Sequence, residues 1–476
     1  MGIIKIGWSK ENITPIGEVC EKVSLVGQFY ERITEKIRDP IYATVLVIES
    51  ETKSSAIVIS LDLCYVSKNL MIKTREYIKS TIPDVAPESI LMAATHIHTG
   101  PDLGYEYDVP MWGTRFSSFS KDPAVITPTE YTDFAAKKIA AAAASAWNSR
   151  SPGGIIPTFG RVSVPQCRRV CYKDGSSKMY GRTDTNNFLR IEGGADTGVE
   201  YIFTFDLNKK MTGVVINLAC PAQILENEKF ITADLWGELR RQWPECPYIL
   251  PLCGAAGDIT MRDMVRRDKN EQIMSTEEGM IQQAGRILRE SRYVLSEIKM
   301  EEIMYEPQIR HVVRYISLPI MTVNDNDYIK AKAIYDAYEN EYKRNDFSAS
   351  YGDSIPLRRQ DRGGYATAAG IVNRYQLQSE HNIIEMEIHA LRIGDAALIT
   401  NPFELYQDYG MQIKARSQAN QTFIAQLSCG NLGYLPTELS IAGGGYSTGV
   451  SNGYIGPEGG CILVDKSLDM INNMFI

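Results

Sequence analysis

Ala94-Thr95-His96-Ile97-His98-Thr99-Gly100-Pro101 is the stretch that decides the fold. It follows the apolar run Ile90-Leu91-Met92, which reads as the end of a buried strand. The chain has only five histidines, and two of them stand here, one residue apart, before a Gly-Pro turn. In an extended segment, residues two apart point the same way. His96 and His98 are therefore expected to project into one pocket where the strand gives out. Imidazole is a habitual metal ligand, so the pair reads as half of a hydrolytic metal site, with a structural hydrogen-bonding pair as the plainer alternative.

Outward from this stretch, the same pattern recurs. Val214–Leu218 ends at Cys220-Pro221, and Tyr248–Leu252 runs into Gly257-Asp258-Ile259-Thr260. Ala397–Thr400 ends at Asn401-Pro402-Phe403-Glu404, and Phe423–Leu427 leads to Gly433-Tyr434. In an open α/β sheet, ligands bind beyond the carboxyl ends of the strands. If these strands share one sheet, two histidines, a cysteine, an aspartate, a threonine, a glutamate and a tyrosine converge. That is the inventory of a metal hydrolase. No Walker loop and no dinucleotide fingerprint is present. Each member alone has a bland reading. Cys220 suits a buried core, Glu404 a first helical turn, Asp258 a tight turn and Tyr434 packing.

Strand and helix patterns alternate along the chain, which predicts an α/β protein: one large mixed sheet flanked by helices, as a single domain over residues 1–476. A hairpin is expected from Tyr42–Ile48 and Ala56–Leu63, and helices over Leu70–Ile82, Pro128–Trp147, Asp234–Trp243, Thr276–Ile298 and Asp325–Arg344. Pro402–Arg416 reads as a helix with Asn401 as N-cap and Pro402 at its first position. The aromatic stretch Gly104–Thr127 reads as a lid, a substrate wall or a surface excursion, and Asp346–Gly370 as a mobile insertion. These two and Ala442–Gly453 are the expected pocket walls.

The net charge of -8 excludes the basic footprint of a nucleic-acid binder. No segment reads as a membrane span, so no stable membrane insertion is expected. Met1–Ile6 lacks the regions of a signal peptide, which leaves a cytoplasmic protein as the expectation. Nine cysteines without framework spacing predict reduced, mostly buried thiols.

The motifs then resemble those of the catalytic domain of the neutral/alkaline, non-lysosomal ceramidases, over essentially the whole chain. Thr95–Pro101 is similar to the family's THTHSGP signature, the most specific match. Ile13-Thr14-Pro15 resembles its ITP turn, Asp39–Ala43 its DPLYA stretch and Asn217–Pro221 its NFAxHP. Gly257–Thr260 resembles GDVS, Asn401–Glu404 the PGE segment and Gly433–Thr437 the YVTT segment. The resemblance implies a zinc-dependent hydrolase of an amide or related acyl bond, with one zinc per chain, zinc-bound water as nucleophile and a small acyl or amide substrate. Carried over by position, the metal ligands are His96, Cys220, Glu404 and Tyr434. His98 and Tyr434 would donate to the oxyanion, while Arg168, matched to the family's NRS arginine, and Thr260 would orient substrate beside Asp258.

Two positions depart from the family. Cys220 stands where the family has histidine, and Thr260 where it has serine. A thiolate is a good zinc ligand that gives the metal more charge than imidazole. The departures also open two other readings: a ceramidase-fold protein that binds a ligand without catalysis, and a hydrolase with Cys220 as nucleophile. The family's signal peptide and C-terminal β-sandwich domain have no counterpart in this chain, and Gly459-Gly460-Cys461 leaves room for one strand and a short helix.

Overall fold

The computed structural model describes residues 2–28, 32–52, 54–104, 122–266, 274–344 and 359–476. Eight strands form one mixed sheet. Its order is Ile249–Cys253, Met211–Leu218, Gly198–Asp206, Ser151–Arg161, Lys5–Asn12, Tyr42–Glu49, Ser55–Leu61 and Ile90–Ala94. Both end pairs are parallel and the inner pairings antiparallel. The histidine strand is thus an edge strand, beside the hairpin that the sequence predicts.

The eight-stranded sheet is the large mixed sheet that the sequence predicts, and a smaller sheet is added to it. Ile309–Pro319, Ile383–Ile393, Ala396–Thr400 and Gln421–Ala425 form a separate four-stranded sheet. It packs on the larger one, and strands of both are apolar on two faces. In Tyr42–Glu49, Val45 and Val47 face the helices Lys68–Thr81 and Pro128–Asn148, while Leu46 and Ile48 meet Leu391, Leu398 and Phe423 of the other sheet. Burial on both faces explains why these strands read as continuous apolar runs. Beyond the smaller sheet, Ile388, Ala390 and Ile399 pack on the helices Gln407–Arg416 and Pro457–Asn472. The layers run helix, sheet, sheet, helix.

The two sheets are joined where their strands end. The Asn217 carboxamide donates to Leu252 O at 3.0 Å on one sheet and Ile424 O at 2.8 Å on the other, and accepts from Ile424 N–H at 3.0 Å. Gln426 N–H donates to Cys253 O at 3.0 Å, and its Oε1 accepts from Ala256 N–H and Leu405 N–H. Ala94 N–H reaches Leu427 O, and Cys429 N–H reaches Met92 O. The carboxyl ends therefore converge as expected, although they belong to two sheets.

Two local expectations change, at Pro402–Arg416 and at the C-terminal segment. The helix placed at Pro402–Arg416 begins at Gln407. Asn401 Oδ1 accepts from Phe403 N–H, closing a turn, so Glu404-Leu405 can extend and pair with Tyr434-Leu435. Residues 346–358 of the expected mobile insertion lie outside the described residues, and 359–370 fall in the helix Arg359–Leu377. The C-terminal segment holds a 16-residue helix. Residues 105–121 of the expected lid also lie outside the described residues. Among the described residues no helix is long and apolar enough to cross a membrane. The nine cysteines are unpaired, and all but Cys20 and Cys461 are buried.

Candidate metal centre

His96 stands two residues past the edge strand, with φ 65°, a left-handed backbone that a non-glycine residue rarely adopts. The simple two-apart rule for extended chain does not apply here. The two rings still meet, edge to face, with centroids 4.9 Å apart. His96 N–H donates to Leu63 O, and Nδ1 lies 2.7 Å from Cys64 O. A carbonyl oxygen only accepts, so Nδ1 carries the proton. The neutral ring then turns a lone pair outward at Nε2.

That nitrogen is buried and makes no aligned hydrogen bond, yet it lies 3.2 Å from Glu404 Oε2. Burial opposes charge on His96, but the Glu404 carboxylate outweighs it and, with Cys64, holds the imidazole's pKa well above its ordinary value. Burial likewise works against Glu404, and the His96 and Arg168 charges hold its carboxyl below the usual range. A lone pair facing a carboxylate needs a cation between them, either a proton or a metal. Two ligands on a tetrahedral zinc with bonds of ~2.0–2.1 Å stand about 3.3 Å apart, so the pair fits that ion. The backbone carbonyl behind Nδ1 is the usual outer partner of a metal-binding imidazole.

Glu404 and Tyr434 are Cα partners in a two-residue parallel bridge, which sets their side chains next to each other. Burial, then the Glu404 charge, pushes the pKa of the Tyr434 phenol well up. Arg168 Nη2 donates to the Tyr434 hydroxyl oxygen at 3.3 Å and to Gly257 O at 2.8 Å. Its Nε–H is buried without a hydrogen-bond partner among the described residues. Tyr446, from the expected wall Ala442–Gly453, meets the Tyr434 ring edge-on at 5.6 Å.

His98 is turned differently. Gln223 Nε2, which can only donate, lies 2.8 Å from His98 Nε2, so the ring proton sits on Nδ1. Among the described residues Nδ1 is buried without a hydrogen bond, 3.6 Å from Glu226 Oε2. Burial, then the His96 and Arg32 charges, press the pKa of His98 well below its ordinary value. It is a neutral ring with a free N–H donor.

The remaining expected residues stand further out. Asp258 Oδ1 accepts from Gln407 N–H at 2.8 Å, and Asp258 O accepts from Arg168 N–H. Burial raises its carboxyl to about 6. Thr260 pairs with Gln166, two residues before Arg168, and its Oγ1 accepts from Arg262 N–H. Cys220 is fully buried, and burial, then Cys253 and Asp234, drive its thiol well above the ordinary range. The cysteine beside the pair is Cys64, whose Sγ is 3.8 Å from His96 Nδ1 and within 4.8 Å of the ligand atoms of both histidines.

No family model and no curated sequence matches this chain. Solved structures do. A neutral ceramidase from Pseudomonas aeruginosa superposes with a TM-score of 0.69 at 14% identity, covering 100% of this chain and 75% of that one. A ceramidase complexed with C2 gives 0.71 at 14%, covering 100% and 76%.

The fold is that of the neutral ceramidases. Within this ceramidase-like fold, Cys64, Gln223, Glu226 and Arg32 are residues that sequence reasoning missed. Cys64 was accessible to the rule that found the others. Its strand, Ser55–Leu61, runs parallel to the histidine strand in register Leu61 to Ala94, so their ends lie side by side. The others come from loops, where Arg32 is wholly buried and donates to the carbonyls of Val26, Glu226, Glu228 and His98. No periodicity marks such a residue.

Proposed function

We propose that this chain is a zinc-dependent hydrolase of an amide or related acyl bond, with His96, Glu404 and Tyr434 holding the metal. The observation that carries the proposal is the buried His96 Nε2, without an aligned hydrogen bond, 3.2 Å from Glu404 Oε2. The ceramidase fold supports the reaction class. A zinc ion held there would supply Lewis acidity and bring the pKa of a water toward ~7. Three protein ligands leave one position open, as catalytic zinc sites do.

The chain's own groups divide the remaining work. The Cys64 carbonyl fixes the His96 tautomer, and the Glu404–Tyr434 bridge sets the facing ligands. His98 Nδ1–H and the free Arg168 Nε–H are buried donors for a substrate carbonyl oxygen as it gains negative charge. Gln223 and Glu226 hold the His98 ring, while Asp258 and Thr260 anchor the segment that presents Arg168. Full burial and a raised thiol pKa oppose Cys220 as nucleophile, since the thiolate is the reactive form.

The test is hydrolysis of an N-acyl amide library that includes ceramides, before and after chelation, together with elemental analysis. Chelation should abolish the rate, zinc should restore it, and His96→Ala should lose both the rate and one zinc per chain. A fully active, metal-free preparation would sink the proposal. A chain with neither metal at this centre nor any hydrolytic rate would instead favour ligand binding without catalysis.

A further inference from the structure

A second group of ligand-type side chains lies away from His96. Glu387 and His389 are two apart on the strand Ile383–Ile393, so they share a face. Cys429 reaches them from the turn after Gln421–Ala425, held by its N–H on Met92 O and by a left-handed backbone, φ 55°. His389 Nε2 lies 2.5 Å from Glu387 Oε1 and 3.5 Å from Cys429 Sγ. All three side chains are buried, and their ligand atoms fall within 4.8 Å of one another.

Glu387 Oε1 and Cys429 Sγ both meet one ring nitrogen, which has at most one proton to give, and the thiol also lies 3.8 Å from Met92 O. The other nitrogen, Nδ1, is 2.9 Å from His311 Nε2. An oxygen, a nitrogen and a sulfur aimed at one point are instead a zinc-class donor set.

We propose that Glu387, His389 and Cys429 form a second metal site for zinc or a similar borderline divalent ion. The nitrogen–sulfur separation of 3.5 Å is already what bonds of ~2.0 and ~2.3 Å at a tetrahedral angle give. The carboxylate would swing out by less than about 1 Å to reach a two-ligand spacing. It is restrained by Tyr315 O–H on Oε2 at 3.0 Å and by Arg75, whose Nη1 meets Oε2 at 2.9 Å and Nη2 meets Oε1 at 2.5 Å. Arg75 also balances part of the anionic charge of a carboxylate and a thiolate. His311 serves as the outer acceptor that fixes the His389 tautomer, the arrangement common to metal-binding imidazoles. The ligands belong to the smaller sheet and to the turn bonded to the histidine strand at Met92. The ion would clip the two sheets together at the base of that strand, and the expected stoichiometry of the full chain becomes two.

The test uses cobalt(II) on the full chain carrying His96→Ala and Glu404→Gln, which removes the first centre. A single cobalt per chain should bind, with a sulfur-to-cobalt charge-transfer band in the near ultraviolet. Cys429→Ser should abolish that band, while Cys64→Ser and Cys220→Ser should keep it. No cobalt binding in the double variant, or a band that survives Cys429→Ser, overturns the proposal. Should Cys429→Ser not fold, the unaltered chain gives the answer by mass-resolved alkylation. Zinc at ten times its Kd should slow labelling of the Cys429 peptide about tenfold, and equal labelling overturns the site.

Discussion

His98 takes its position from a residue with no side chain. Gly27 has φ +103°, and a Cβ there would stand 2.4 Å from His98 Cγ. Gly27→Ala is therefore both strained and in contact with the ring. It should lower kcat without removing zinc, and His98→Ala should lower it by about 10²–10³ with the metal kept. Steady-state kinetics beside elemental analysis checks both, and loss of zinc from His98→Ala would make that histidine a ligand. Asp258 offers a pH test. Its folded pKa of about 6 is raised above the ordinary carboxylate value, so the native state binds the extra proton. The cost of ionising it is absent below about pH 4, grows as pH rises through 6 and is complete above that, at about 3 kcal/mol. Asp258→Asn keeps the oxygen that accepts from Gln407 N–H and removes the titration. Relative to the variant, the wild-type protein should lose that much stability between pH 4 and 7 in urea melts, and parallel pH profiles would contradict it.

At the scale of elements, Asn217 shows what joins the halves. Its carboxamide makes three buried bonds to two sheets, and no other side chain could satisfy Leu252 O, Ile424 O and Ile424 N–H in one plane. Asn217→Ala should cost about 3 kcal/mol, since buried backbone groups are left unpaired. Equilibrium denaturation measures it, and a change under about 0.5 kcal/mol would mean that the ends repack. The same region shows where sequence reading stops. The helices Lys68–Thr81 and Pro128–Asn148 were legible because a Ser67 or Thr127 cap and a one-sided apolar face fix them locally. The split into two sheets was not, because strands buried on both faces look alike whichever sheet they join. The start at Gln407 was hidden for a related reason. Asn401-Pro402 is good helix-start chemistry, and only pairing with Tyr434, thirty residues on, pulls Glu404 into extended form. His96, Cys220, Glu404 and Tyr434 were singled out because they follow strand ends, and Cys64 was passed over although it follows one too.

Across the whole molecule, the proposed metal centre is assembled from both sheets. His96 follows the edge strand of the larger one, whereas Glu404 and Tyr434 follow strands of the smaller. The unfolded chain holds His96 more than three hundred residues from Glu404 and Tyr434, so it offers no comparable site. An ion that binds only the native state adds RT ln(1 + [L]/Kd), about 2.7 kcal/mol at a hundred times Kd. Zinc should therefore raise the melting temperature of the chelated protein, and by a logarithmic rather than saturating dependence on its concentration. Glu404→Gln keeps the shape of the side chain and removes its charge. It should leave the metal-free melting temperature near that of the wild type and abolish most of the rise from this centre. Cys429→Ser in the same background isolates the effect from the second cluster. Scanning calorimetry over a zinc series decides the matter. An equal rise in wild type and Glu404→Gln, with Cys429 replaced in both, would place the stabilising ion somewhere other than between His96 and Glu404.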